Sequence, residues 1–163
     1  MNRTILLAVD AARHGGAQHV AAAATETRDL SLKTGDRVVV LHVHEFAYGR
    51  FGRLQVDCPE GEGEKVVDEI VSDLRAAGVT ADGRIGTTDF GHIARAILAV
   101  AEEYDARMIV LGSSSRADLP HLPFGSVSTR LLHLARRPVL IVPWQKEALA
   151  SAPEQEIAAG ATG

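Results

Sequence analysis

With one cysteine, Cys58, the 163-residue chain cannot form an internal disulfide, which excludes a small scaffold held together by cross-links. The sequence around Cys58 has no metal-site spacing, so the residue reads as an inert loop thiol. Aromatic residues are scarce at 4% against 46% hydrophobic residues overall, so the core must be built from Val, Ile, Leu and Ala. No apolar run approaches the roughly 18 residues of a membrane span. The first residues, Met1-Asn2-Arg3-Thr4, lead straight into a strand-like run without the anatomy of a signal peptide. A cytoplasmic protein that engages no membrane is therefore expected. Positive charge is not in excess either, with 17 Lys and Arg against 21 Asp and Glu for a net charge of −4. The basic residues are scattered, with Arg136-Arg137 the only adjacent pair, so a nucleic-acid partner is not expected. The dinucleotide pattern G-x-G-x-x-G, the phosphate loop G-x-x-x-x-G-K-[ST] and the nucleophile elbow G-x-S-x-G are all missing. Their absence argues against a dehydrogenase, a P-loop ATPase and a serine hydrolase.

What is present is a regular alternation. Five short β-branched runs, at 4–10, 37–44, 80–85, 108–112 and 138–143, are separated by amphipathic stretches. Most of these runs are continuously apolar, as in Ile5-Leu6-Leu7-Ala8-Val9 and Met108-Ile109-Val110-Leu111, which suits parallel strands covered on both faces. Helical spacing appears over about 14–33, 64–77, 89–104 and 126–136. Gly35 and Gly78 stop the first two helices, and Thr88 or Asp89 is the expected N-cap of the third. The predicted fold is α/β, a single open five-stranded parallel sheet with helices on both faces, in one domain over residues 1–144. Two segments stand apart. Residues 46–62 form a long connection, expected to be a lid or binding loop that closes with Phe46, Tyr48 or Phe51. Residues 145–163 have no apolar stripe and are expected to be a disordered tail.

Ligand groups in such a sheet gather beyond the carboxyl ends of the strands. Gly112 ends the fourth run and is followed by Ser113-Ser114-Ser115, a nine-residue loop from Arg116 to Phe124, and then Gly125-Ser126-Val127-Ser128 at the start of a helix. Glycine there allows a ligand close to the backbone, and the free N–H groups of a helix start attract an anion. The same residues are good turn and N-cap formers, so this segment alone leaves a phosphate site and a structural junction both open. His42 and His44 lie two apart on a strand and share a face, which is half of a metal site. No carboxylate or cysteine at ligand spacing completes it, so no metal is assigned.

Gly112, the nine-residue spacing to Gly125-Ser126, and the run Pro138-Val139-Leu140-Ile141-Val142 resemble the pattern G-x-x-G-x9-G-[ST] followed by P-V-L-[IV]-V of ATP-binding universal stress proteins. The opening strand ending at Asp10 and Leu41-His42-Val43-His44 are similar to that family too, so the likeness covers about residues 3–143. The resemblance implies a Rossmann-like sheet of the adenine nucleotide alpha-hydrolase type. It also implies a homodimer joined through the last strand (138–143), and a pocket for ATP or another adenine nucleotide, with or without Mg2+. Asp10 would then meet the ribose, the Val43 backbone the adenine edge, and Gly112, Ser115, Gly125, Ser126 and Val127 the phosphates. Ser115 stands where the pattern has its second glycine. If that position needs a left-handed backbone, the serine costs about 1–2 kcal/mol, or roughly 5- to 30-fold in affinity. The implied role is a stress-response module whose nucleotide occupancy is read by a downstream protein partner. A dimeric interaction protein without nucleotide, and a slow ATP hydrolase or phosphoryl-transfer enzyme, are the alternatives.

Overall fold

The computed structural model describes residues 3–11, 16–113 and 125–143. Ser115 and the tail expected at 145–163 lie outside the described residues. Chain order gives β1 (Thr4–Ala8), α1 (Gly16–Thr34), β2 (Arg37–Gly49), β3 (Gly52–Gln55), α2 (Glu62–Ala76), β4 (Ala81–Asp89), α3 (Ile93–Glu103), β5 (Ala106–Ser113), α4 (Ser126–Leu134) and β6 (Val139–Pro143). β1 lies between β2 and β5, with parallel registers Ile5↔Val38 on one side and Ile5↔Met108 on the other. β4 pairs parallel to β2, and β6 parallel to β5. The sheet is thus open and mostly parallel. No helix among the described residues is long and apolar enough to cross a membrane.

The alternation of side chains along each strand sends two apolar rows to opposite faces. Ile5, Leu7, Val38, Val40 and Val110 pack with Val20 and Ala23 of α1 and with Val67, Ile70, Val71 and Leu74 of α2. Leu6, Val39, Leu41, Ile109 and Leu111 pack with Ala94, Ile97, Val100 and Ala101 of α3 and Leu131 of α4. Each fully buried Leu or Ile contributes about 1.5–3 kcal/mol from the area it removes from water. α1 and α2 stop where glycine takes a left-handed backbone. Gly35 has φ +71°, and Gly78 has φ +88°, with its N–H donating to the Arg75 carbonyl at 3.0 Å.

Two expectations need correction. The sheet has six strands, not five, because residues 46–62 are not one loop. β2 continues to Gly49, and β3 returns antiparallel with pairs Tyr48↔Arg53 and Gly49↔Gly52, so Arg50 and Phe51 form a two-residue turn. Gly52, at φ +112°, supplies backbone that other residues resist, and the Arg53 guanidinium stacks on the Phe46 ring at 3.8 Å. Nor does Thr88 or Asp89 cap α3: both belong to β4, and His92 is the N-cap without a side-chain hydrogen bond to the helix.

At the amino ends of the strands a buried carboxylate ties three elements together. Asp36, just before β2, accepts from the Arg3 N–H at 3.1 Å and from the Thr34 hydroxyl at 2.8 Å, and is ion-paired with Arg107 of β5. Burial alone would raise its pKa. The hydrogen bonds from Thr34, Arg107 and Arg3, together with the Arg107 charge, hold it below the usual carboxylate value instead. Its stabilising contribution is therefore complete above the unfolded pKa of about 3.9 and is lost as pH falls through the lower folded value. Asp36→Ala should cost about 3 kcal/mol in urea unfolding at neutral pH, because it strands a partly buried guanidinium. The gap between variant and wild type should shrink below about pH 4. A gap that stays constant across that range would refute the assignment.

Candidate functional site

Beyond the carboxyl ends of the strands lies a cavity of about 390 Å3, in the roughly 300–1,000 Å3 range of small-molecule sites. Sheet topology creates it. The connection from β1 leads to β2 on one side, whereas the strand on the other side of β1 is β5, so the loops after β1 and β5 part and leave a crevice between them. Of the seven residues singled out from sequence, Asp10, Val43, Gly112, Gly125, Ser126 and Val127 all line this one cavity. Ser115, the seventh, lies outside the described residues. Leu41, Ile93, Ile97 and Leu111 give the cavity an apolar wall.

Several local features bear on ligand chemistry. The carbonyl of Leu41 accepts from Val9 N–H, and that of Glu45 from Val56 N–H. Backbone direction alternates along a strand, so the N–H and C=O of Val43 turn to the same side, past the last residue of β1. α4 begins at Ser126 with Gly125 as N-cap and no side-chain cap, so the free N–H groups of its first turn open on the cavity. Gly125 has φ −50° and ψ 165°, ordinary extended backbone that any residue can adopt. Gly112 has a different justification from the one drawn from sequence. A Cβ there would lie 2.5 Å from the carbonyl oxygen of His19, so β5 and the first turns of α1 can pack this closely only over glycine. His19 is itself buried, and burial lowers its pKa despite the opposing field of Asp10.

At the edge of the cavity, which His42 and Asp57 also line, stands a polar cluster that spacing in sequence did not connect. His42 and His44 continue the face of β2 that Val38 and Val40 occupy, and are 2% and 5% exposed. The chain leaving β3 brings Asp57 and Cys58 against them. Asp57 Oδ2 lies 3.0 Å from His42 Nε2 and 2.9 Å from His44 Nδ1, and Cys58 Sγ lies 3.2 Å from the same oxygen. Glu64, in the first turn of α2, accepts from His44 Nε2 at 3.2 Å. Burial works against a charged His44, but the hydrogen bonds to Asp57 and Glu64 outweigh it and raise its pKa. Burial likewise opposes ionisation of Asp57, yet hydrogen bonds from His44, Cys58 and His42 hold it at about 2. Burial first, and then Asp57, push the Cys58 thiol up to about 12. Gly63 of α2 closes over both imidazoles, since a Cβ there would lie 2.3 Å from His42 Cδ2 and 2.6 Å from His44 Cε1. Cys58 is thus no free-standing loop thiol. The available signal was a His-x-His pair followed by Asp-Cys, whose meeting required the β2–β3 hairpin to be recognised.

Residues 1–143 match the universal stress protein family. A comparison with curated proteins finds no match. Among solved structures, a universal stress protein family member from Burkholderia pseudomallei is 24% identical, with TM-score 0.63, over 86% of this chain and 96% of its own. The universal stress protein from Archaeoglobus fulgidus in complex with dAMP is 20% identical, with TM-score 0.62, over 86% of this chain and 97% of its own. A universal stress protein in complex with cAMP is 15% identical, with TM-score 0.65, over 88% of this chain and 98% of its own. These likenesses establish the shared fold.

The packing reason for Gly112 has a direct consequence. Gly112→Ala should destabilise the ligand-free protein by about 1–3 kcal/mol, the usual cost of overpacking, as read from the urea midpoint. An unchanged midpoint would show that α1 can yield to a Cβ at this position.

Proposed function

The chain belongs to the universal stress protein family, and from that premise we propose that it binds an adenine nucleotide, ATP or a close relative, in the cavity beyond β1 and β5. The observation that carries this reading is that six positions spread from Asp10 to Val127 line a single cavity onto which a helix N-terminus opens. Each part has a chemical use. Phosphate oxygens accept from the first N–H groups of α4 and gain from the positive end of its dipole. The Asp10 carboxylate accepts from ribose hydroxyls, and the Val43 backbone meets the adenine edge against the apolar wall. The dAMP and cAMP carried by two relatives of the same fold support an adenine ligand. In this reading nucleotide occupancy alters the surface near the cavity, and a downstream protein reads that change.

Titration calorimetry with Mg-ATP and with AMP tests the proposal, and Gly125→Asp is the informative variant. Aspartate is a favoured N-cap, so α4 keeps its stability, while the added carboxylate stands against the phosphates. Wild type should bind with a rise in melting temperature, and the variant should lose binding while melting normally without ligand. Absence of heat and of any thermal shift for the wild type at millimolar nucleotide would end this reading.

The proposal extends to assembly. Among the described residues β6 is the outermost strand beyond β5, and Val139, Leu140, Ile141 and Val142 are only partly buried. Antiparallel pairing of two such edges would satisfy their outward N–H and C=O groups and cover these side chains. Light scattering should give about twice the 17.3 kDa chain mass, and Ile141→Lys should shift folded protein towards monomer. A wild-type monomer at micromolar concentration would overturn the dimer.

A further inference from the structure

The nucleotide reading leaves the cluster beside the cavity without a role. Four potential ligand atoms, His42 Nε2, His44 Nδ1, Asp57 Oδ2 and Cys58 Sγ, all lie within 4.8 Å of one another. Hydrogen bonds to the surroundings fix which nitrogen of each ring is turned inward. His42 Nδ1 is 3.0 Å from the Val9 carbonyl, a pure acceptor, so Nδ1 carries a hydrogen and Nε2 is turned inward. His44 Nε2 faces the Glu64 carboxylate at 3.2 Å, so a hydrogen is committed there and Nδ1 is turned inward. The Gln55 amide confirms the second assignment. Its Nε2 donates to the Cys58 carbonyl at 2.9 Å, which fixes the amide's orientation, and the same nitrogen approaches His44 Nδ1 at 3.0 Å.

Two imidazole nitrogens therefore converge on one carboxylate oxygen, at 3.0 and 2.9 Å, with a sulfur 3.7 and 3.9 Å from the two nitrogens. Such an arrangement calls for positive charge at its centre, from protons on the rings or from a metal cation. A second proton on His44 would answer Asp57 but would set an N–H against the Gln55 amide. A single cation bonded to all four atoms neutralises Asp57 and takes the one lone pair of His44 Nδ1, so the Gln55 amide gives up that nitrogen and keeps its bond to the Cys58 carbonyl. The five spacings that involve Asp57 or Cys58, from 2.9 to 3.9 Å, are close to what such a cation needs. Zinc bonds of about 2.0–2.2 Å to nitrogen and oxygen and 2.3 Å to sulfur imply tetrahedral edges of roughly 3.3 and 3.6 Å. Both histidines also have the outer hydrogen bond to a carbonyl or carboxylate that orients metal-binding imidazoles, and Gly63 packed on their rings leaves them no room to turn.

We propose that His42, His44, Asp57 and Cys58 form a tetrahedral site for one divalent cation of the zinc class. Two ligands stand on β2 and two on the chain that follows β3, so the metal would fasten that connection to the sheet. With four protein ligands the site is closed, which makes it structural rather than catalytic.

The test uses full-length protein, chelator-treated and kept reduced, titrated with Zn2+ alone, so its outcome does not depend on the nucleotide reading. One Zn2+ per chain should bind with submicromolar affinity and raise the melting temperature. Co2+ in its place should give the intense visible bands of a tetrahedral site together with a thiolate charge-transfer band. Cys58→Ser, nearly isosteric, should remain folded by circular dichroism, lose the charge-transfer band and weaken Zn2+ binding at least 100-fold. His44→Ala should abolish the site, and Glu64→Gln, which alters only the outer hydrogen bond, should weaken it about 10-fold. Folded wild type that binds no stoichiometric Zn2+ would overturn the proposal. So would Zn2+ binding that Cys58→Ser leaves unchanged, or an octahedral Co2+ spectrum without the thiolate band.

Discussion

Hydrogen-bonded to Arg37–Leu41 along one edge and to Ala106–Leu111 along the other, β1 has no edge left for water, and Ile5, Leu6 and Leu7 are fully buried. A strand in that position must be apolar on both faces, and both faces must then be covered. The helix pair α1 and α2 meets the requirement on one side and α3 and α4 on the other. The same pairing makes the chain leave β1 towards β2, while β5 approaches β1 from the opposite side. The cavity beyond these strands follows from that divergence. Its position therefore depends on the burial of β1 before it depends on any residue that lines it.

β2 shows how one strand serves two purposes. Val38, Val40, His42 and His44 share a face, and so do Val39, Leu41 and Val43 on the other. Under the bodies of the helices both rows are aliphatic. Where β2 runs past the end of β1 the first row turns to imidazole, and the second ends at Val43 in the cavity wall. The chemistry on the first face thus changes at the point where β1 stops. Beyond that point β2 continues only because β4 on one side and β3 at its end still pair with it.

The central strands were legible in the sequence because burial on both faces leaves continuous runs such as Val38-Val39-Val40-Leu41, which no helix of this length would need. The helix stops at Gly35 and Gly78 were legible for a different reason, since each takes a backbone that glycine tolerates best. β3 was not legible. It has four residues, mostly exposed, and its apolar positions neither run together nor alternate clearly. β4 was read short because its second half, Gly86-Thr87-Thr88-Asp89, has a composition that suits turns and caps, and pairing with Val43–Phe46 of β2 overrides that local preference. Six of the seven positions taken from the family pattern share one cavity. Of the polar cluster only the His42 and His44 half could be read by spacing, because the hairpin that joins its two halves was invisible.

The two glycines that matter most beside the site show why that kind of reading fails. Neither Gly63 nor Gly112 has a left-handed backbone, so no rule about turns would select them. Each is required by an atom far away in sequence: Gly63 by the rings of His42 and His44, Gly112 by the carbonyl oxygen of His19. Gly63 lies within the first turn of α2, where glycine is a poor helix former and alanine would be better by about 1 kcal/mol. That local loss is accepted where the helix must come into contact with a pair of buried imidazoles. A residue that lowers helix propensity at such a place carries information about what lies beneath it, and here two imidazoles, a carboxylate and a thiol lie there.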